Sequence, residues 1–183
     1  MAERFNAQLG NWADGATRAH LCRYYVARGF LEPDDTVVDA GCGLGYGTAI
    51  ISQVCRLVYG FDHSEGAIKY ARAQHRKVNN RFDIVNLEDP RFVIPSCDVV
   101  VCIEILEHLR RPDIFAKRIM EVARRLIFFT VPLDEEPGAN PHHKHTFSQA
   151  EAEKLFLHLQ WKFFHSLRQG NHFIGIVYRI KEE

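Results

Sequence analysis

The chain has 183 residues, of which 46% are hydrophobic, enough for one domain with a sizeable core. Lys+Arg and Asp+Glu are equal at 23 each, which excludes the global electrostatic footprint of a nucleic-acid or membrane-surface binder. A local basic patch remains open at Arg110, Arg111, Lys117, Arg118, Arg124 and Arg125, although these residues also suit the solvated faces of one helix.

Residues 11–30 read as a leading helix ending at Gly29, and residues 1–30 as a helical cap on a single domain spanning 1–183. Short apolar runs then alternate with helical patterns. The expected strands are Thr36–Asp39, Leu57–Phe61, Phe82–Asn86, Asp98–Ile103, Leu126–Val131, Trp161–Leu167 and Phe173–Ile180. Their β-branched and aromatic content without clean alternation fits strands buried on both faces. Ser64 caps a helix with Ala67, Ile68 and Ala71 inward. Pro112 opens another, carrying Phe115, Ile119, Val122 and Leu126. Ser148-Gln-Ala-Glu151 reads as a capping box ahead of Ala152, Leu155, Phe156 and Leu159. Strand–helix alternation predicts an α/β doubly wound, mainly parallel seven-stranded sheet, and the last two strands, with no helix between them, an antiparallel edge hairpin.

Five cysteines without a C-x-x-C pair read as reduced thiols in a cytoplasmic setting. The start MAERFNAQLGNW lacks the apolar core of a signal peptide, and no run is long enough to span a membrane.

The stretch VVDAGCGLGYGT, residues 37–48, joins the first strand to its helix. Gly41, Gly43 and Gly45 let the backbone approach a ligand closely. The second strand ends at Asp62, 23 residues after Asp39, where a carboxylate can accept hydrogen bonds from both hydroxyls of a ribose. A dinucleotide site wants G-x-G-x-x-G, but the spacing here is G-x-G-x-G. Asp39 disfavours a phosphate beside the loop and suits a cationic amino group. These features point to an adenosine-type cofactor and argue against an oxidoreductase.

VVDAGCGLGYGT followed by VYGFDHSEGAIKYAR resembles the class I S-adenosylmethionine-dependent methyltransferases. The resemblance implies that Gly41, Cys42 and Gly43 pass along the methionine part of the cofactor and that Asp62 binds its ribose. It also implies that Asn86, where relatives carry an acid, and Leu87 meet the adenine.

A second constellation follows the fourth strand: CIEILEHL, with Glu104, Glu107 and His108. After the fifth comes NPHHKHTFS, with His142, His143 and His145. One reading is that Glu107 and His108 begin a helix and orient the loop. The sharper one is a divalent metal site (Mg, Mn, Fe or Zn) of Glu104, Glu107, His108 and a downstream histidine. E-x-x-E-H resembles the metal-dependent O-methyltransferases of ubiquinone synthesis and the enzymes that methylate the terminal 2′-hydroxyl of small RNAs. The register of the latter points to His143, with His145 a rival. Glu104 also falls among the expected cofactor-binding residues. Without a metal, His108 or His143 serves as general base. ERF near the start, EILEHL, NPHH-x-x-x-F and Arg168-Gln-Gly resemble methyltransferases encoded among glycan-assembly enzymes, whose acceptors are sugar hydroxyls. The expected function is O-methylation of a small hydroxylated acceptor, a sugar or a vicinal diol or catechol. Methylation of an RNA terminal ribose, or an inactive cofactor-binding partner subunit, are the alternatives. His20, His63, His75, His158, His165 and His172 show no partner at ligand spacing. Trp12, Tyr24 and Tyr25 read as core or surface residues that can also close over the site.

Overall fold

The computed structural model describes residues 15–136 and 138–180. The chain divides into two compact units, Met1–Leu87 and Glu88–Glu183.

The first unit runs α1 (Gly15–Arg28), β1 (Thr36–Ala40), α2 (Tyr46–Ile51), β2 (Leu57–Asp62), α3 (Glu65–Gln74) and β3 (Asn80–Ile84). α1 ends one residue before Gly29; residues 11–14, with Trp12, lie outside the described residues. β1 is buried along its whole length, and β2 lies parallel to it from Thr36↔Leu57 to Ala40↔Phe61. β3 lies parallel to β2 from Val58↔Asn80 to Asp62↔Ile84. Parallel pairing needs a crossover at each step, and α2 and α3 supply them. Ser64 caps α3 by accepting from the Ala67 N–H, which turns Ala67, Ile68 and Ala71 inward. There Ile68 and Ala71 join Cys42 and Phe82 in one apolar cluster.

β3 starts two residues before the expected Phe82. Asn80 is buried, donates to the His75 carbonyl and accepts from the Lys77 N–H, so pairing begins there. The strand alternates rather than being buried on both faces, with Ile84 exposed. Asn86 and Leu87 therefore lie just beyond its end.

The second unit runs β4 (Cys97–Ile103), a single 3-10 turn (Leu106–His108), α4 (Pro112–Val122), β5 (Ala123–Pro132), α5 (Gln149–Lys154), β6 (Trp161–Gln169) and β7 (His172–Arg179). β4 and β5 are parallel, whereas β7 runs antiparallel to both β5 and β6. The order is thus β4-β5-β7-β6, the hairpin edge expected. Helix-linked parallel strands with an antiparallel edge make this the α/β doubly wound fold.

Two helical expectations need correction. Leu126 belongs to β5, paired with Val99 and fully buried, because α4 passes into β5 with no intervening loop. α5 stops at Lys154, so Leu159 is 94% exposed instead of completing an apolar face. Its capping box does form, and Phe156 beyond it is buried. The Phe156 ring stacks on Phe129 at 4.3 Å, and Phe173 packs on Phe129 at 5.7 Å. Each such ring contributes about 1.5–3 kcal/mol on burial. Gly175 sits opposite Phe129; a Cβ there would lie 2.2 Å from the ring.

Candidate active site

The register of the first unit brings the carboxyl ends of its strands together. Ala40 pairs with Phe61, and Asp62 with Ile84. The glycine loop starts from that point. The N–H groups of Gly41 and Cys42 both donate to the Phe61 carbonyl, at 2.8 and 3.0 Å. Gly41, Gly43 and Gly45 have φ of 80, 52 and 84°, a region that side-chain-bearing residues avoid. At Gly45 space is also short, since a Cβ would meet Ala71 at 2.6 Å and Phe82 at 2.9 Å. At Gly43 nothing lies within 4 Å of where a Cβ would point. Gly45 serves packing, and Gly43 lines open space.

Asp62 is tied to the same loop. One carboxylate oxygen accepts from the Gly43 N–H at 3.0 Å and the other from the Ser64 N–H at 2.8 Å. Four lone pairs with two in use leave capacity for a ribose diol. Val85 N–H donates to the Asp62 carbonyl at 2.9 Å, which sets exposed Asn86 and buried Leu87 on the exit from β3, beside Asp62.

Asp39, expected to suit a cationic amino group, lies near the end of the buried β1. It is fully buried, with one oxygen accepting from Thr48 Oγ1 at 2.5 Å and the other from the Tyr24 hydroxyl at 3.3 Å. Burial pushes its carboxyl up to about 7, with a smaller push from the Asp62 charge, against the Thr48 and Tyr24 hydrogen bonds. Tyr24 thus links α1 to the loop, and His20 adds a second link by pairing its Nδ1 with the Tyr46 hydroxyl at 2.7 Å. Tyr25 points outward and is exposed.

In the second unit, Glu107, His108 and His143 each bring one ligand atom within 4.8 Å of the others. Glu107 is fully buried on the 3-10 turn, and its carbonyl accepts from the N–H groups of Lys144 and His145, docking the histidine loop onto the turn. The His108 and His143 rings meet edge-on at 4.8 Å. His108 Nδ1 lies 3.1 Å from the His142 carbonyl, which can only accept, so the proton sits on Nδ1 and Nε2 keeps the lone pair. His143 Nδ1 lies 2.5 Å from Glu135 Oε2 and carries its proton for the same reason. Its Nε2 faces the Asn140 amide nitrogen at 3.0 Å, an orientation fixed because Asn140 Oδ1 accepts from the His142 N–H.

His145 is not in this cluster. Its Nε2 faces the Arg110 carbonyl at 3.3 Å, and of the two rivals only His143 lies beside Glu107 and His108. Glu104, expected as a fourth ligand, is also outside it among the described residues. Its carboxylate turns to Thr130 Oγ1 at 2.6 Å and His172 Nε2 at 3.1 Å. Glu135, Asn140 and His172 were beyond sequence reasoning, because loop folding and antiparallel pairing, not spacing, bring them to their partners.

Residues 38–126 match a family model described as Methyltransferase domain. That stretch holds the glycine loop, Asp62 and the 3-10 turn, and through it the chain resembles the S-adenosylmethionine-dependent methyltransferases. A Mycolicibacterium smegmatis protein named "probable S-adenosylmethionine-dependent methyltransferase" is 33% identical over 127 residues, 65% of this chain and 49% of that protein. The chain spans about half the length of the curated relatives it matches. Among solved structures, a Haloferax volcanii methyltransferase in complex with the Trm112 methyltransferase activator superposes with a TM-score of 0.78 at 16% identity, covering 97% of each chain. Magnesium protoporphyrin IX methyltransferase from Synechocystis, solved with S-adenosylhomocysteine, gives 0.75 at 18% identity over 98% of this chain and 90% of its own. The chain shares its fold with both. No described helix is long and apolar enough to cross a membrane.

Proposed function

We propose that the two units form one methyltransferase domain that O-methylates a small acceptor bearing neighbouring oxygens, with a divalent metal held by Glu107, His108 and His143. The observation that carries the reading is the junction of Gly43 and Asp62: open space beside a positive-φ backbone, bounded by a carboxylate already oriented by two N–H groups. Gly41, Cys42 and Gly43 run along the methionine part of the cofactor, Asp62 accepts from the ribose, and Asn86 and Leu87 border the adenine. Asp39 acts from beneath, holding the loop against α1 and α2. Bound there, S-adenosylmethionine supplies a methyl group on a sulfonium, ready for direct displacement.

The donor set fits a divalent metal. Two imidazoles and one carboxylate within 4.8 Å leave positions open for substrate oxygens. Both rings carry the proton on Nδ1 against an oxygen acceptor, the outer contact typical of metal-binding histidines. Asn140 must release Nε2 for His143 to ligate. A bound divalent cation supplies Lewis acidity that lowers the pKa of a chelated hydroxyl. The acidic Asp134, Glu135 and Glu136 beside the histidine loop favour a sugar or diol over a phosphate-rich RNA end. Five free cysteines suit a reducing, cytoplasmic setting.

Calorimetry on the full, chelator-treated chain tests both parts. Asp62→Ala is expected to weaken S-adenosylmethionine binding at least tenfold, since it strips the ribose of its acceptor. Unchanged affinity would remove the cofactor assignment. Stoichiometric uptake of Mg, Mn, Fe or Zn, weakened by Glu107→Ala, His108→Ala and His143→Ala but not by Glu104→Gln, supports the metal. No uptake returns the three residues to structural or general-base roles. Cofactor binding with no transfer to any acceptor favours the partner-subunit reading.

A further inference from the structure

The antiparallel edge delivers one more side chain to the carboxyl end of β5. His172, the first residue of β7, pairs with Pro132, the last residue of β5. Glu104 follows β4 at the same end, its N–H 3.2 Å from the Thr130 carbonyl. The hairpin tip is fastened there twice more: the Leu133 N–H donates to the Asn171 carbonyl at 2.6 Å, and Arg168 pairs with Asp134 at 3.3 Å.

Glu104 has φ 53, a left-handed backbone that costs a side-chain-bearing residue roughly 1–2 kcal/mol. Strain of this kind gathers at functional sites. What it achieves is visible in the carboxylate, which accepts from Thr130 Oγ1 on one oxygen and meets His172 Nε2 on the other. The contact with His172 Nε2 is an ion-pair distance, and it leaves Nδ1 as the ring nitrogen away from the carboxylate. The side chain is 29% exposed, and no described residue bonds Nδ1. A carboxylate beside one imidazole nitrogen, with the far nitrogen open, is the arrangement of a base and its orienter.

We propose that His172 takes the proton from the acceptor hydroxyl, with Glu104, steadied by Thr130, as its positioning residue. This rests on the methyl-transfer reading above. As the hydroxyl oxygen bonds to the methyl carbon, the sulfur–carbon bond breaks and its electron pair stays on sulfur as a thioether. The hydroxyl proton passes to His172 Nδ1 and then to water.

Two measurements on the full chain test this. In ¹⁵N-histidine NMR with S-adenosylhomocysteine bound, the ring signal lost in His172→Gln is expected to show the proton on Nε2. Glu104→Gln is expected to mix the tautomers. A proton on Nδ1, or a tautomer indifferent to Glu104→Gln, overturns the proposal. The second measurement is transfer from methyl-labelled S-adenosylmethionine to catechol and to a methyl glucoside as probes. His172→Gln is expected to lower kcat about 100-fold with the KM for the cofactor unchanged, and Glu104→Gln about tenfold. Wild-type transfer that His172→Gln leaves intact overturns the base while methyl transfer stands. No transfer by the wild type, with the cofactor bound, removes the hydroxyl reading and this base with it.

Discussion

Gly43 and Gly45 lie two residues apart with similar backbones, yet they should fail in different ways. Alanine at 45 would drive a Cβ into Ala71 and Phe82, so Gly45→Ala is expected to cost about 2–4 kcal/mol of stability, read as a lowered melting temperature. Alanine at 43 meets only open space and pays the left-handed penalty alone, about 1–2 kcal/mol. Its Cβ instead enters the space assigned to the cofactor. Gly43→Ala should therefore stay folded and lose S-adenosylmethionine affinity in calorimetry; unimpaired binding would move the cofactor off this loop. Asp39 makes a pH prediction. Its folded pKa of about 7 lies well above the ordinary carboxylate value of 3.8, so the folded state holds the proton more tightly than the unfolded chain. The contribution to stability is complete below about pH 4 and is lost as pH rises through 7, on the order of 4 kcal/mol in all. Melts of the cofactor-free protein should show that decline, and Asp39→Asn should flatten it. A wild-type curve already flat from pH 4 to 7 would mean that Asp39 is ionised throughout.

Elements were legible in the sequence where one strong local signal decided them. Ser64 and Ser148 sit at helix starts because a hydroxyl satisfies an otherwise unpaired N–H, and that rule needs no tertiary knowledge. The glycine loop and Asp62 were legible because their spacing fixes them relative to two strand ends. What failed were the ends decided by packing. Leu126 continued the helical spacing of α4 but was drawn into β5 by its pairing with Val99. Leu159 continued the spacing of α5, which stops after Lys154. Glu104 looked like a metal ligand by its distance along the chain from Glu107, and only the fold shows it turned to His172. α5 also carries the prediction at this scale. Ser148→Ala removes both its acceptor for Glu151 N–H and its own donor to Glu151. A loss of about 1 kcal/mol, roughly 3 °C in a thermal melt, is expected. No change would mean that Phe156, not the cap, anchors the segment.

At the scale of the whole chain, the two candidate sites mature at different points. The glycine loop, Asp62 and Leu87 all belong to the first unit, whereas Glu107, His143 and His172 belong to the second. The antiparallel edge sharpens this asymmetry, since β5 is paired on one side by the strand just before it and on the other by β7, about forty residues further on. A ribosome making this chain therefore releases the apolar run Leu126–Val131 well before the strand that shields its second flank. During that interval the nascent protein presents a bare, sticky ribbon of the kind that recruits chaperones or neighbouring chains. The same late strand brings His172, so the hazard ends when the proposed base arrives.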